Sequence, residues 1–522
     1  MGIIESDRAE ISRLKVTVQE LRDEISRLKG EQGKPNIRGK KGANDISSEK
    51  ERKTEPPKPR KKRVRKKDKI TITRTVTCEY PKDDLPDDVI FKGYDSVIVQ
   101  NFKIVPDNVE FKIEIYYSPS TGKTYRAKRP AEYKGQFGTD IRSFILIMKH
   151  LAKVSESSIH SLLTTYGCHI SKSSISRLSR KDAGLFHEEK EKIFRAGLLS
   201  SNYQHIDDTG ARVNGSQWYT HILCSPYYTA YFTRPHKDRL TILKILSLDS
   251  DLQFEFNETA LKLLKTFKMT DQIFTHIKES FDKRPMNEEM LDSLLQHLPT
   301  KIKNPTQLHR RIKEAGAIGW YQTQKELPVI EFLMSDDAPQ FRHIALEHAL
   351  CWVHAGRHLK RLNPLTPLYQ QEVDCKLQEF WNLFRDLNEY RENQSSNNLV
   401  VLEERFDKLV SGETEFLALN KVMKNLRENK EKLLQVLKNP ELPLHNNPAE
   451  LGARAKVRNR DVSLHTLTKD GTEAVDTFLT LVQTAKKLGV NISKYINAVL
   501  SDRDVEPISI TLMKKAKSMM TG

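Results

Sequence analysis

A dense run of positive charge divides this chain and limits where a folded core can lie. Residues 33–70 carry 16 basic and 5 acidic side chains, and residues 58–67 alone hold eight basic residues in ten positions. A segment of this composition cannot bury enough apolar surface to fold, so we predict a disordered linker over residues 31–69. Most of the folded structure in the 522-residue chain must then follow the linker, where the length suits several domains.

The charge of the linker also indicates a partner. The chain has a formal net charge of +17 at pH 7, and a dense basic run binds phosphates by releasing the counterions that surround them. We therefore predict contact with double-stranded DNA, with a merely solvated linker as the alternative. The linker residues predicted to bind DNA are Lys58, Arg60, Lys61, Lys62, Arg63, Arg65, Lys66 and Lys67.

The first 30 residues show a heptad pattern. Apolar residues recur there at alternating spacings of three and four, which is typical of a coiled-coil seam. These residues are Ile11, Leu14, Val18, Leu21, Ile25 and Leu28. We predict a coiled-coil dimerisation helix over residues 1–30, and hence a homodimer or higher oligomer. The alternative is an amphipathic helix that packs on its own chain.

Cysteine spacing and hydropathy exclude several classes of protein. The five cysteines are far apart and include no Cys-x-x-Cys pair, which argues against a disulfide framework and against a zinc module that is local in sequence. No run of about 18 apolar residues is present, so we expect no membrane span and no membrane partner. These features predict a cytoplasmic protein.

Two regions before residue 200 have distinct periodicities. Alternating runs at 70–77 and 109–116, with a turn at 118–122, predict a small β module over residues 70–130. Residues 138–198 read as helices with a break near Gly167, which is the layout of a helix-turn-helix DNA-binding region. Its second helix would present Lys172, Ser173 and Arg177 to DNA, although any small helical bundle shows a similar pattern.

The rest of the chain alternates between strand patterns and helical stretches. Runs at 205–209, 218–224, 227–233, 328–334 and 348–354 predict strands in the order β-β-β-α-β-α-β, followed by a late helix. This is the layout of an α/β RNase H-like catalytic core with helical insertions. We place the core at 200–249 and 326–365, helical insertions at 250–325 and 366–440, and the late helix with the C-terminal helices at 441–522.

Three carboxylates stand where these predicted elements end. Asp207 lies on the first strand, Asp336 follows the fourth strand, and Glu450 opens the late helix. Acids placed in this way converge at one edge of an RNase H-like core, and their oxygen atoms suit Mg²⁺. Two such ions about 4 Å apart serve phosphodiester displacement. We therefore predict these three acids as catalytic residues that bind two Mg²⁺ ions, with Mn²⁺ as an alternative.

Each acid also has a purely structural interpretation. Asp208 and Asp337 adjoin two of the candidates, and because side chains alternate along a strand, only one of each pair can face the site. Asn447-Pro-Ala-Glu450 fits a capping box in which Asn447 is the N-cap and Glu450 stands at N3. The residues alone leave these alternatives open.

Three motifs resemble those of the DDE (Asp-Asp-Glu) transposases of bacterial insertion sequences, specifically the IS66 type. They are His205-Ile-Asp-Asp-Thr209, Cys351-Trp-Val-His-Ala-Gly-Arg357 and Asn446-Asn-Pro-Ala-Glu450, the last followed by Arg454 and Arg458. The resemblance covers roughly residues 140–500. It implies that Asp207, Asp336 and Glu450 form the metal-binding triad. It also implies that Arg357, Arg454 and Arg458 lie near DNA in a nucleoid-associated bacterial protein.

The chain departs from this family pattern in two places. The family commonly has a cysteine-ligated zinc module before the helix-turn-helix, whereas residues 70–130 contain only Cys78, so we predict no zinc. Leu451 replaces the arginine expected directly after the glutamate, which removes one expected DNA contact.

The resemblance implies a DNA transposase. Such an enzyme binds the terminal inverted repeats of its insertion sequence, cleaves the element ends and transfers the 3′ ends to target DNA. Two alternatives remain at this point: an RNase H-like nuclease or resolvase without strand transfer, and a catalytically inactive sequence-specific DNA-binding protein.

Overall fold

A mixed sheet of five strands is the central element of the structure, which is a computed structural model. It describes residues 70–79, 91–130, 133, 135–281, 284–298, 305–394 and 396–520, with the isolated residues 14, 17 and 18. The chain divides between Lys50 and Glu51 into two units. The predicted linker with its eight DNA-binding candidates lies outside the described residues, as does the predicted coiled-coil helix apart from the three isolated positions.

The strands of the sheet are β3 (Tyr203–Val213), β4 (Ser216–Cys224), β5 (Thr229–Arg234), β6 (Phe332–Ser335) and β7 (Glu347–Leu350). Their order across the sheet is β5-β4-β3-β6-β7. β4 is antiparallel to both β3 and β5, whereas β6 is parallel to β3 and to β7. The expected mixed α/β fold with five strands is confirmed.

Side chains alternate between two apolar layers along the antiparallel strands. Ile222 of β4 and Tyr231 of β5 pack on one face with Val475 and Leu479. Their neighbours Leu223 and Phe232 point to the opposite face, into the largest apolar core. This alternation follows from the two-residue period of a strand, and it leaves both faces of β4 and β5 covered.

A tight helix contact covers the first of these faces. Helix α16 (Asn447–Ser463) crosses β3 and β4, and a Cβ atom at Gly452 would lie 2.8 Å from Cγ2 of Ile222. The hydroxyl of Tyr231 donates to the carbonyl oxygen of Gly452 at 3.0 Å. Glycine is therefore required here for the backbone of the helix to rest directly on the sheet.

A buried ion pair joins α16 to the next helix, α17 (Lys469–Leu488), and to β5. The carboxylate of Asp476 accepts from Lys456 Nζ at 3.0 Å and from the backbone N–H of Thr233 at 2.6 Å. Burial alone would raise the pKa of Asp476, but the charges of Lys456 and Lys190 with the hydrogen bonds lower it below its usual value. The ionised pair thus fixes both helices against the edge strand.

Helices occupy both stretches between the later elements. Between β5 and β6 these are α5 (Arg239–Leu246), α6 (Glu258–Thr266), α7 (Asp271–Ser280), α8 (Glu288–Leu295) and α9 (Pro305–Gln322). Between β7 and α16 they are α10 (Trp352–Lys360), α11 (Pro367–Glu392), α12 (Ser396–Val410), α13 (Leu417–Glu428), α14 (Lys430–Leu433) and α15 (Gln435–Lys438). After α17 follow α18 (Ile492–Leu500) and α19 (Ile508–Met520).

The region before the sheet is also mainly helical. It contains a hairpin of β1 (Ile115–Ser118) and β2 (Lys123–Arg126), then α1 (Thr139–Leu146), α2 (Glu156–Thr165), α3 (Lys172–Ala183) and α4 (His187–Leu198). Gly167 between α2 and α3 has φ +84°, and Ser171 caps α3 through the N–H of Ser174. Within the described part of the chain, no helix has the length and hydropathy needed to cross a bilayer.

Several sequence predictions about local structure were wrong. Residues 70–77 form no strand, and the run 109–116 is a strand only from Ile115, because the pairing described in this region is that of β1 with β2 alone. The fourth and fifth strands are joined by a 3₁₀ turn at Pro339–Phe341 rather than by an α-helix. The run 348–354 is not a single strand, because α10 begins at Trp352, whose N–H donates to the carbonyl oxygen of Leu444.

The buried ion pair generates a stability prediction. Asp476→Asn should lower the free energy of unfolding by about 3–5 kcal/mol, because the cation of Lys456 is left buried without its partner. Asp470→Asn, at an exposed position in the first turn of the same helix, should cost less than about 1 kcal/mol. Urea denaturation followed by circular dichroism measures both values, and equal losses would contradict the prediction.

Candidate metal centre

Parallel pairing of β3 with β6 places two of the predicted acids at the same level of the sheet. His205 is in register with Met334, the last of the paired positions. Continuing this register by two residues brings Asp207 level with Asp336, which follows directly after β6. Since neighbouring strands lie about 4.8 Å apart, the two carboxylates are neighbours across the strands.

Strand alternation distinguishes Asp207 from Asp208. Asp207 is opposite Ile222 in the β3–β4 register, so its side chain shares the sheet face on which α16 packs. Asp208 is opposite His221 on the other face, and its Oδ2 accepts from Nε2 of Gln340 at 2.7 Å. Asp207 is therefore the member of the pair that faces the helix carrying Glu450.

Asp336 and Asp337 are separated by their partners. Oδ1 of Asp336 accepts from the backbone N–H of Ala338 at 3.1 Å, and Asp336 lines a cavity of about 600 Å³ together with His354 and Arg357. Asp337 lines the same cavity, but its carboxylate forms an ion pair with Arg342 at 2.8 Å. Asp336 is thus the acid of this pair that is not already neutralised.

Glu450 is held by side chains of α10 rather than by a helix cap. Nη2 of Arg357 donates to its Oε2 at 3.2 Å, and Nδ1 of His354 lies 3.8 Å from its Oε1. The predicted capping box is wrong, because α16 begins at Asn447 and its N-cap is Asn446, which makes no side-chain cap hydrogen bond. The carboxylate is therefore available at the helix entrance, and it faces α10.

Asn446 connects the elements that carry the site. Its Nδ2 donates to the carbonyl oxygen of Ile206 at 2.8 Å, and its backbone N–H donates to Sγ of Cys351 at 3.2 Å. Its own carbonyl oxygen accepts from the N–H of Glu450 at 3.1 Å. One residue, 1% exposed, thereby links the strand just before Asp207 through its side chain, and the start of α10 and the turn that bears Glu450 through its backbone.

A second bond of Asn446 involves the buried ring of His205. Burial lowers the pKa of His205 to about 3, so the ring is uncharged at neutral pH. Its Nδ1 lies 3.0 Å from Oδ1 of Asn446 and donates to it. Sequence reasoning treated this asparagine only as part of a motif. The sequence itself shows only that a polar residue stands four positions before Glu450.

The charges of the acids act on one another. Burial raises the pKa of Asp207 to about 7, the charges of Asp336, Asp208 and Glu450 raise it as well, and the hydrogen bond from the N–H of Asp208 lowers it. Asp207 can be affected in this way only if the three acids converge. A partly buried group of carboxylates that repel one another is an environment that a divalent cation would relieve.

The carboxylate oxygens of the three acids are also arranged in a way that fits such a cation. In each of the three acids, one oxygen accepts a hydrogen bond: Asp207 from Asp208 N–H, Asp336 from Ala338 N–H, and Glu450 from Arg357. The second oxygen of each carboxylate accepts no hydrogen bond from any residue within the described ranges. Three hard oxygen atoms oriented by their neighbours suit Mg²⁺ or Mn²⁺.

A mixed group of ligand atoms adjoins these acids. Atoms of Cys351, His354 and Glu450 lie within 4.8 Å of one another. Burial raises the pKa of Cys351 to about 11, although N–H groups of His354 and Asn446 bond to its sulfur and lower it. Mg²⁺ and Mn²⁺ prefer oxygen ligands to sulfur, so the three carboxylates fit these cations better than the mixed set does.

The other residues predicted to bind DNA lie in three places. Lys172, Ser173 and Arg177 are exposed on α3, and Arg454 and Arg458 are exposed on α16. Arg357 is in contact with Glu450 and with Nε2 of His354 at 2.9 Å. The basic residues between Lys58 and Lys67 are not among the described positions.

The contacts of Asn446 generate a prediction for metal binding. Asn446→Ala should weaken Mg²⁺ binding about 10- to 100-fold, because residues that orient metal ligands commonly contribute that much. Asn257→Ala is the matched control, since Asn257 caps α6 and bonds Gly319 O at 2.9 Å in the first insertion. Isothermal titration calorimetry should find its affinity unchanged. An Asn446→Ala affinity within twofold of the original would refute the role.

Residues 325–474 match the family model described as "Transposase IS66 family". This segment includes Asp336 and Glu450. The chain is 31% identical over 328 residues to the "Uncharacterized protein y4jO" of Sinorhizobium fredii, an alignment that spans 62% of this chain and all of that relative. The chain therefore belongs to the IS66 family of DDE transposases.

Proposed function

We propose that this protein is an active transposase with an RNase H-like core. It binds the terminal inverted repeats of its own insertion sequence, cleaves the element ends and transfers the 3′ ends to target DNA. The observation that carries the proposal is the convergence of Asp207, Asp336 and Glu450, which follows from the β3–β6 register and from the packing of α16 on the sheet. Family membership supports the transposition chemistry.

The three acids hold the metal in this proposal. Magnesium ions bound there would supply the positive charge that activates an attacking oxygen and stabilises a leaving one. Arg357 keeps Glu450 turned toward the site through the 3.2 Å contact, and Asn446 fixes the helix entrance against β3. The attacking oxygen comes from water during cleavage and from a DNA 3′-hydroxyl during joining, so no bond forms between protein and DNA.

DNA is bound by three separate surfaces in this proposal. The exposed face of α3 with Lys172, Ser173 and Arg177 follows a capped helix start, which suits insertion into a major groove. Arg454 and Arg458 extend the same helix that bears Glu450, so phosphates near the acids are within their reach. The basic linker supplies contacts that do not depend on sequence. The N-terminal heptads dimerise the protein.

Substitution of the proposed metal-binding acids, with the adjacent Asp208 as a control, tests whether these acids are catalytic. Asp207→Asn and Glu450→Gln should abolish Mg²⁺-dependent cleavage of a duplex that carries the element end, because each removes a charged metal ligand. Binding of the duplex should remain within a few fold. Asp208→Asn is the matched control, since Asp208 faces the other side of the sheet and bonds Gln340. Gel analysis of labelled DNA measures cleavage and joining.

The outcomes of this experiment separate the alternatives. Cleavage by Asp207→Asn, or loss of cleavage in Asp208→Asn alone, would refute the assignment of the triad. Cleavage by the wild-type protein without joined products would indicate a nuclease rather than a transposase. Binding without cleavage would indicate a DNA-binding protein that has lost catalysis.

The linker generates a separate prediction about salt. In a plot of the logarithm of the binding constant against the logarithm of the salt concentration, each phosphate contact contributes about 0.9 to the slope. Replacing the eight basic residues of 58–67 by glutamine should therefore make this slope less steep by several units. The heptad region stays intact in this variant, so oligomerisation serves as an internal control. Fluorescence anisotropy across a salt series measures the slope, and an unchanged slope would show that the linker does not contact phosphate.

A further inference from the structure

A basic cavity lies between the sheet and the first helical insertion. Its volume is about 680 Å³, and its walls come from β4, the start of α5, helix α9 and the turn after β6. Five of its lining residues are permanent cations: Lys237, Arg239, Arg310, Arg311 and Arg342. The acids in the same lining are Asp238 and Glu314, so the cavity has an excess of positive charge.

Ion pairs within the cavity neutralise only part of this charge. Glu314 is shared by Arg239, which contacts it directly, and by Arg310 at 3.3 Å. Asp238 accepts from the N–H of Thr241 at 2.9 Å and thereby caps α5. One glutamate thus faces two guanidinium groups, and a surplus of charge remains.

Two cations of the cavity have no ion-pair partner among the described residues. Nζ of Lys237 lies 5.4 Å from the ring centre of Tyr219, and Arg311 donates to the carbonyl oxygen of Phe267 at 3.2 Å. A cation on an aromatic face and a guanidinium held by one backbone carbonyl both keep donors for an anion. These side chains give the cavity its capacity to bind a ligand.

The environment of His343 in the cavity wall is consistent with the same excess charge. Burial, together with the nearby cations Arg239, Lys432 and Arg342, lowers the pKa of this residue to about 4. The imidazole is therefore neutral at physiological pH and adds no charge of its own.

The cavity is connected to the acidic site through its own wall. Nε2 of Gln340 bonds Asp208 at 2.7 Å, and Arg342 pairs with Asp337 at 2.8 Å. Asp208 and Asp337 each follow one of the acids proposed to bind metal. Asp208 and the cavity residue Tyr219 lie on the sheet face opposite Asp207, and the two sites meet at the segment after β6, which carries Asp336 as well as Gln340 and Arg342. A polyanion that crosses this segment from the acids would reach the cavity, and its repeating charges match the cations there.

We propose that this basic cavity binds phosphates of the DNA strand that continues from the reacting phosphodiester. The first helical insertion is then part of the DNA-binding surface, through α9, and not only a spacer between strands. This inference rests on the proposed function, because it assumes that DNA is bound at the acids.

Neutralisation of the two unpaired cations tests the proposal in the full-length protein. Lys237→Gln combined with Arg311→Gln should reduce the salt slope for binding of the element-end duplex by about 1.8, since each lost phosphate contact removes about 0.9. Lys237→Gln alone should give about half of that change. Binding is measured by anisotropy in EDTA, so that catalysis does not contribute.

A matched control removes the same charge elsewhere. Lys408→Gln with Lys438→Gln alters two exposed cations, on α12 and α15, that do not line the cavity. Circular dichroism melting verifies that every variant is folded. If the cavity variants retain the slope of this control while the wild-type protein binds and cleaves the duplex, the cavity proposal alone is overturned. A wild-type protein that neither binds nor cleaves the duplex would overturn the proposed function and the cavity with it.

Discussion

The close contact between α16 and the sheet is the constraint on which the site depends. Gly452 lets the helix backbone approach Ile222 to a distance that a Cβ atom would forbid. Because Asp207 is opposite Ile222 and Glu450 precedes Gly452 by two residues, this single contact sets the separation of the two acids. The buried bond of Asn446 to Ile206 then fixes the helix lengthwise. Gly452 thus sets the distance of α16 from the sheet, whereas Asn446 sets the position of α16 along the strands.

The sequence predicted the elements on which the three acids lie, but not the contacts around them. Asp207, Asp336 and Glu450 were placed correctly on their elements because strand ends and helix starts leave local patterns. The sequence distinguishes Asp207 from Asp208 only through the family resemblance. The structure adds a physical reason, because the pairing of Asp207 with Ile222 places its side chain on the sheet face that α16 covers. The capping box at Asn447 was wrong because the N-cap is Asn446, which makes no side-chain cap hydrogen bond. Local spacing also cannot show that Arg357, 93 residues away, contacts Glu450.

Long-range pairing also explains the errors in the fold. The run 348–354 is apolar between its terminal histidines, and only the contact of Trp352 with Leu444 and Leu433 shows that a helix begins inside it. The alternating run 70–77 has the pattern of a strand, yet a strand requires a partner, and none of the described strands pairs with it. Periodicity therefore identified which residues are apolar, whereas tertiary contacts determined which conformation they adopt.

The spacing of the acids along the chain has a consequence for biosynthesis. Asp207 and Asp336 are 129 residues apart, and Glu450 follows 114 residues later, with a set of helices in each interval. Ribosomes add residues in order, and distant segments must meet before such a pocket exists. A nascent polypeptide whose α16 has not yet left the ribosome therefore lacks Glu450, one of the three acids proposed to bind metal. Premature termination before codon 450 yields a product with only the other two acids.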